Sequence, residues 1–378
     1  MNNTHIQSAD SIRGIACMVV VMSHLALTFF PALHGVPDLA RNHQGEVVQK
    51  LIFNSPFSFW YSGSSAVYVF FMLSGIVLSK SYSDSGFGLS VLHRNILKRY
   101  VRLMLPSLFS TIMVFAVVKM WPDNNKGSSF WFERFGGGVI DFYGALKEGA
   151  IGVFSVGYDI HYNWVLWTMS IEFIGSLVLM AIYTIPVKYR FNAKVLMSFV
   201  MILLSFTSSS LSLTLGILLF LCGSIFYEIR ATIKPTIITM FLLAGLYLAG
   251  YHSGSSSYRF LSGAFGGIYS GKIGDFSYAS SGFLICISLI SASFKILNRD
   301  SGLLKTMGKL SFSLYLIHLT VVYTFGMFAM DLLNGLGFRY SLSSMISIIF
   351  IVLISIPLAY IFYKFIDRLS IKASRFIL

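Results

Sequence analysis

The chain has 378 residues, 56% of them hydrophobic and only 11% charged, with a mean hydropathy of +0.74. A soluble domain carries about 25% charged residues, so this composition excludes a soluble enzyme, a disordered chain and a fibrous protein, and the apolar runs are too long for strands of a membrane β-barrel. The net charge of +13 has its ordinary source in the basic loops of a membrane protein, not in a nucleic-acid partner.

In chain order, hydropathy predicts ten helical spans, near 12–33, 60–79, 100–121, 163–185, 195–209, 211–228, 236–252, 275–294, 309–329 and 341–363. A span needs about 20 apolar residues, so the fifth and seventh are short. With the N-terminus in the cytoplasm, 19 Lys and Arg residues, among them Arg230, Lys295 and Arg299, fall on the inner side. Only 9, among them Arg41, fall on the outer side. That bias predicts cytoplasmic N- and C-termini and an even number of spans. The expected fold is an all-α polytopic membrane helix bundle of about ten transmembrane helices, residues 1–378 forming one integral membrane domain with no soluble domain appended. Asp10 and Arg13 precede the first apolar run, which is long enough to span and does not read as a cleaved leader. The outer segments are 34–59, 122–162 and 253–274; the longest, 122–162, lies on the membrane or folds back into it. No internal repeat of the transporter kind stands out. Cys17, Cys222 and Cys286 lie inside apolar runs without metal-ligand spacing, so no metal is expected.

Ionisable groups inside spans are costly and mark functional sites by default. His24 follows Arg13 by 11 residues, about 16 Å along a helix and on nearly the same face. Asp10, three residues before Arg13, can pair with it. Glu172 shares a face with Thr168 and Ser176, and His318 shares one with Ser311 and Tyr315. Similar depths predict that His24, Glu172 and His318 meet around one polar cavity. Each histidine alone also fits an interhelical hydrogen bond, and Glu172 a role in holding other groups. Arg99 and Arg102 share a face where the third span begins. They read either as an anchor for lipid headgroups or as a clamp for a phosphorylated ligand.

Five blocks resemble the acyltransferase-3 family of integral membrane acyltransferases. Ala9-Asp10-Ser11-Ile12-Arg13-Gly14 followed by His24 is similar to its first-helix signature. Val69-Phe70-Phe71-Met72-Leu73-Ser74-Gly75 resembles its second-helix block, and Arg99-Tyr100-Val101-Arg102 its Arg-x-x-Arg motif. Trp167-Thr168-Met169-Ser170-Ile171-Glu172 is similar to a Trp-Ser-x-Ser-x-Glu block, with Thr168 replacing the usual Ser. Gly308 to His318 resembles a late Gly-x-x-Ser-x-x-x-Tyr-x-x-His block. Asp367 and Leu369 stand where the family often has Glu-x-Pro, and neither is expected to touch the chemistry.

The resemblance implies an O-acyltransferase that takes an acyl group, usually acetyl, from cytoplasmic acyl-CoA. The acceptor it implies is a hydroxyl of a cell-surface glycan or lipid-linked sugar, such as a lipopolysaccharide O-antigen or an exopolysaccharide. The expected setting is a bacterial inner membrane, with no permanently bound cofactor. The chain would act alone or pass the group to a separate downstream protein. His24 is the expected base, with Glu172 and His318 completing the catalytic group. Arg13, Arg99 and Arg102 are the expected donor-binding residues, supported by Asp10, Ser170 and Tyr315. Direct transfer and an acyl-enzyme on His24 or Tyr315 both fit. The competing readings are a proton-coupled transporter or flippase with a mid-membrane His/Glu site and, within acyl transfer, a small-molecule acceptor.

Overall fold

In hydrocarbon every backbone polar group must find its partner within the chain, so apolar runs of this length fold as helices. The computed structural model describes residues 4–36, 46–84, 88–138, 140–229, 233–269, 271–291 and 302–377. All regular structure among them is helical: α1 (Thr4–Phe29), α2 (Glu46–Phe53), α3 (Gly63–Asp84), α4 (Leu92–Met120), α5 (Phe130–Glu133), α6 (Phe142–Ala150), α7 (Trp167–Thr184), α8 (Val187–Thr207), α9 (Leu211–Ile229), α10 (Pro235–Ala249), α11 (Arg259–Tyr269), α12 (Ile273–Ser291), α13 (Gly302–Val321), α14 (Met327–Gly335), α15 (Tyr340–Phe362) and α16 (Arg368–Arg375). Single π turns, Val322–Gly326 and Tyr363–Asp367, join α13 to α14 and α15 to α16.

Nine helices among the described residues are long and apolar enough to cross a membrane. The seventh expected span is α10, with 15 residues, about 22 Å of rise. Asp10 near the start and Ile371 near the end line one cavity, so these two segments lie on one face, the terminal face. The connections carrying α2, α5 and α11 lie on the far face, whereas α6 runs back along α4, where Thr111 donates to the Ala145 carbonyl at 2.9 Å and Tyr100 to that of Ala150 at 2.7 Å. Arg41, Arg230, Lys295 and Arg299, and residues 292–294 of the eighth expected span, lie outside the described residues.

Several boundaries move, for one physical reason: hydropathy stops at a charge where a helix does not. α8 begins at Val187, eight residues before the expected start, and carries Lys194 fully buried. Lys194 is paired with Glu228 of α9 and donates to the Tyr183 hydroxyl at 3.2 Å. Arg190 donates to the carbonyls of Ile185 at 2.8 Å and Tyr183 at 2.7 Å. α4 likewise begins at Leu92 and includes the whole basic stretch through Arg102.

Small residues bring the backbones together, as membrane interfaces favour. α3 is the central helix and packs against α1, α7, α9 and α12. A Cβ on Gly75 would come 2.1 Å from the Phe220 carbonyl oxygen, and one on Gly223 2.2 Å from that of Met72. The parallel pair α1 and α13 is closest at Gly14 and Gly308, where a Cβ on Gly308 would lie 2.2 Å from the Asp10 carbonyl oxygen. From there the two helices stay in register. Cys17 donates to the Ser311 carbonyl at 3.1 Å and His24 meets His318, both across 294 positions. The glycine contact thus sets the height at which the two histidines face each other.

Candidate active site

A cavity of about 340 Å³ opens from the terminal face into the bundle. α1 lends it Asp10 and Arg13; α4, Arg99 and Arg102; α7, Thr168 and Glu172; and α13, Lys309, Ser311 and Tyr315. Asp367 enters it from the second π turn, which offsets the following residues from the α-helical face. Four cations therefore face three carboxylates. Glu172 is committed: one carboxylate oxygen pairs with Arg99 and accepts from the Ser74 hydroxyl at 2.8 Å. The side chains of Arg99 and Glu172 are only 14% and 17% exposed. This ion pair fixes the first arginine of the Arg-x-x-Arg motif and leaves Arg102, Arg13 and Lys309 facing the cavity with Asp10 and Asp367.

The inner end of the cavity is closed by Phe70, Thr168 and Tyr315. The Tyr315 hydroxyl donates to the Val165 carbonyl at 2.8 Å and lies 3.0 Å from Thr168 Oγ1. Beyond Tyr315 sit the two histidines, and their hydrogen bonds determine where the protons are. Nδ1 of His318 lies 2.8 Å from the Tyr315 carbonyl oxygen and 3.2 Å from that of Leu314. A carbonyl only accepts, so this Nδ1 carries the proton and Nε2 keeps its lone pair in the neutral ring. Nδ1 of His24 lies 2.8 Å from that Nε2 and must donate to it. The remaining nitrogen of His24, Nε2, is left with a lone pair and is the basic atom of the pair.

His318 is fully buried, while His24 is half-buried. Trp131 of α5 lies over the His24 ring, centroids 5.4 Å apart and planes 5° from parallel. Trp164 meets Trp131 edge-on at 5.2 Å. The far-face segment 122–162 therefore folds back into the bundle. Its short helix is capped by Ser129, which accepts from the Phe132 N–H at 3.3 Å. The segment is anchored through Glu148 of α6, fully buried, which accepts from the backbone N–H groups of His161 at 2.8 Å and Tyr162 at 2.9 Å. Burial still pushes the Glu148 carboxyl above the usual carboxylate range.

A second histidine pair lies on the far face. His34 and His252 meet at 5.3 Å, nearly perpendicular, and the Tyr61 ring lies over His252 at 5.8 Å. Burial pushes His34 down to about 3, with His252 adding to the effect, and His252 down to about 4. Both stay neutral at ordinary pH.

The structure thus does not gather the three expected residues around one cavity. His24 and His318 are together, as expected, but Glu172 is not with them; it stands in the basic cavity as the partner of Arg99. Equal depth does not bring residues together when their helices turn them to different neighbours. Arg13, Arg99, Arg102, Asp10 and Tyr315 all line the basic cavity. Ser170 does not: it lies on the other side of α7, in a separate hollow with Trp167. Two residues along a helix is about 200° of rotation, so Thr168 and Ser170 face opposite ways. Asp367 lines the cavity, against the expectation that it stands apart. Trp131 and Ser74 were not singled out as site residues. Ser74 belongs to the second-helix block and had a signal; Trp131 had none.

The fold and site define a class: a polytopic membrane bundle with a hydrogen-bonded histidine pair beyond the inner end of a basic, ion-paired cavity. The family model for the acyltransferase domain of acyltransferase-3 type matches residues 6–364. The chain belongs to that family and is a multi-pass membrane acyltransferase. No curated protein and no solved structure matches it.

Proposed function

We propose that this acyltransferase moves an acyl group, acetyl in the first instance, from cytoplasmic acyl-CoA to a hydroxyl of a cell-surface glycan. The proposed setting is a bacterial inner membrane with the terminal face cytoplasmic. The observation that carries the reading is the neutral His24–His318 pair, its one free basic nitrogen next to a cavity rich in arginine. The loop-charge bias supports the orientation. A cavity of about 340 Å³ is at the small end of ligand pockets, so it suits the narrow pantetheine arm, with the phosphate-bearing end at the mouth. Arg102, Arg13 and Lys309 are the groups assigned to those phosphates. Arg99 is held by Glu172 and shapes the wall beside them.

In the proposed reaction the thioester reaches past Tyr315 towards His24. Nε2 of His24 takes the proton of the acceptor hydroxyl as its oxygen bonds to the acyl carbon. The carbon–sulfur bond breaks, and the same proton passes to the departing thiolate, giving free CoA. His318 is a positioning residue that holds His24 in the required tautomer. We assign to Tyr315, once its hydroxyl turns from the Val165 carbonyl to admit the thioester, the hydrogen bond to the charge growing on the thioester oxygen. A transient acyl group on His24 obeys the same balance in two steps.

The test is thiol release from acetyl-CoA by the purified protein in nanodiscs, with and without a crude glycan-lipid extract. Release that rises with extract, vanishes in His24→Ala and needs more donor in Arg102→Ala supports the reading. A fully active His24→Ala variant refutes it. Substrate translocation without CoA release supports the transporter reading instead.

A further inference from the structure

The hollow behind α7 belongs to neither half of the proposed machinery. It is about 370 Å³ and is lined by the segment 153–160, the turn between α8 and α9, the outer face of α7 and the first turn of α12. Its chemistry is distinctive. Ser170, Ser209 and Ser212 offer hydroxyls, Asp275 a carboxylate, and Tyr158 and Trp167 aromatic surfaces, and no Lys or Arg among the described residues lines it. The nearest cation by position, Lys272, is spent on the carbonyls that end α8, 3.0 Å from that of Phe206 and 3.3 Å from that of Ser208. The buried hydroxyl of Tyr68, which has no hydrogen-bond partner among the described residues, lies within electrostatic reach of Asp275.

We infer that this hollow is a saccharide subsite, holding a sugar of the acceptor remote from the hydroxyl that reacts. A phosphate or other anion is disfavoured by a lone carboxylate without a cation. An acyl chain is disfavoured by the hydroxyls. An ammonium headgroup suits Asp275 and the aromatic rings, but it brings its own phosphate into a wall without positive charge. A neutral sugar suits the polar and aromatic walls: its hydroxyls donate to Asp275 and to Ser170, whose own proton goes to the Trp167 carbonyl at 3.1 Å, and its C–H face packs on Trp167 or Tyr158 and on the aliphatic side chains beside them. Placement fits as well. Thr168 on the inner side of α7 touches Tyr315, while Trp167 and Ser170 face the hollow, so the two sites are separated by one helix, about 10 Å. At the far end of α7, Trp164 stands three residues before Trp167 and meets Trp131, which packs on His24. Binding a remote sugar there contributes to orienting the reacting one.

The inference rests on the proposed glycan acceptor, and the experiment separates the two. The probe is an oligosaccharide mixture from partial hydrolysis of the producing cell's surface polysaccharide, fluorescently end-labelled and titrated against the protein in nanodiscs. Binding is expected to weaken about tenfold in Trp167→Ala and in the near-isosteric Asp275→Asn, and to persist in His24→Ala. CoA release without acceptor is expected to stay at the wild-type rate in Trp167→Ala. Wild-type affinity in both variants overturns the subsite, as does competition by glycerophosphocholine in place of sugar. If the oligosaccharides stimulate CoA release equally in wild type and both variants, the subsite fails and the transferase reading stands. If they bind through Trp167 and never support CoA release, the subsite stands and the glycan-acceptor reading fails.

Discussion

Replacing Gly308 by Ala perturbs the height at which His24 and His318 meet without touching either ring. The new Cβ would sit 2.2 Å from the Asp10 carbonyl oxygen, about 1.2 Å short of the 3.4 Å at which ordinary contact begins. The obstacle is backbone, so the helices must separate. If α1 and α13 shift rigidly by that amount, the 2.8 Å bond between the histidines opens to about 4 Å, too long for a hydrogen bond. His24 then loses the partner that fixes its tautomer. A misplacement of about 1 Å in a catalytic group costs on the order of 100-fold in rate, while overpacking costs about 1–3 kcal/mol of stability. The assay is CoA release at saturating donor, with thermal unfolding of the same sample. Gly308→Ala is expected to stay folded with a slightly lowered Tm and to lose about 100-fold in kcat. Gly302→Ala, where a Cβ meets nothing within 4 Å, is expected to be neutral. A folded Gly308→Ala variant with wild-type kcat refutes the register argument.

Arg99→Ala takes away the cation paired with Glu172 and leaves it the Ser74 hydroxyl and the more distant charges of Arg13 and Arg102, so the loss is at most about 3–5 kcal/mol, that of a buried pair whose one partner is removed. The double variant Arg99→Met, Glu172→Gln is expected to recover most of the Tm but not the donor affinity, read as KM for acetyl-CoA. Trp131→Ala removes the ring packed on His24, a contact worth about 0.5–1.5 kcal/mol. Its kcat is expected to fall about two- to tenfold, far less than in His24→Ala, with KM for the donor unchanged. The far-face pair His34 and His252 is held neutral by burial at about 3 and about 4, against an ordinary 6.5. Below pH 6.5 the unfolded segments bind more protons than the folded ones, so this contribution is full above pH 6.5 and falls as pH drops towards 4. Hydrogen exchange of residues 30–36 and 250–258 is expected to speed up between pH 7 and pH 5, beyond the chemical trend, and the double His34→Gln, His252→Gln variant is expected to flatten that response.

The crossings were legible because hydrocarbon forces apolar runs into helices, and α10 shows that even a 15-residue run was read correctly as an element. Boundaries were less legible wherever a charge is neutralised by a partner far along the chain, as Lys194 is by Glu228. In the site, helical spacing placed Arg13 and His24 on one face yet about 16 Å apart, and the structure keeps them apart, Arg13 in the cavity and His24 beyond it. Depth alone misled for Glu172, because depth is one coordinate and the rotation of α7 towards Arg99 is another. Ser170 joined the expected site through a motif, although its position two residues from Thr168 already turns it away. Trp131 was out of reach: nothing local marks a residue that a long connection carries back onto a helix 107 positions earlier.

With the proposed donor at the cytoplasmic terminal face and the proposed glycan on the far side, the acyl group crosses between faces while CoA does not, and sidedness tests this most directly. Proteoliposomes would be prepared with the terminal face outward, the glycan-lipid extract enclosed and radiolabelled acetyl-CoA supplied only outside. The account predicts label on the enclosed glycan, free CoA in the outer medium and no label on the glycan with His24→Ala. Label confined to acceptor added outside, with none on the enclosed glycan, would contradict it.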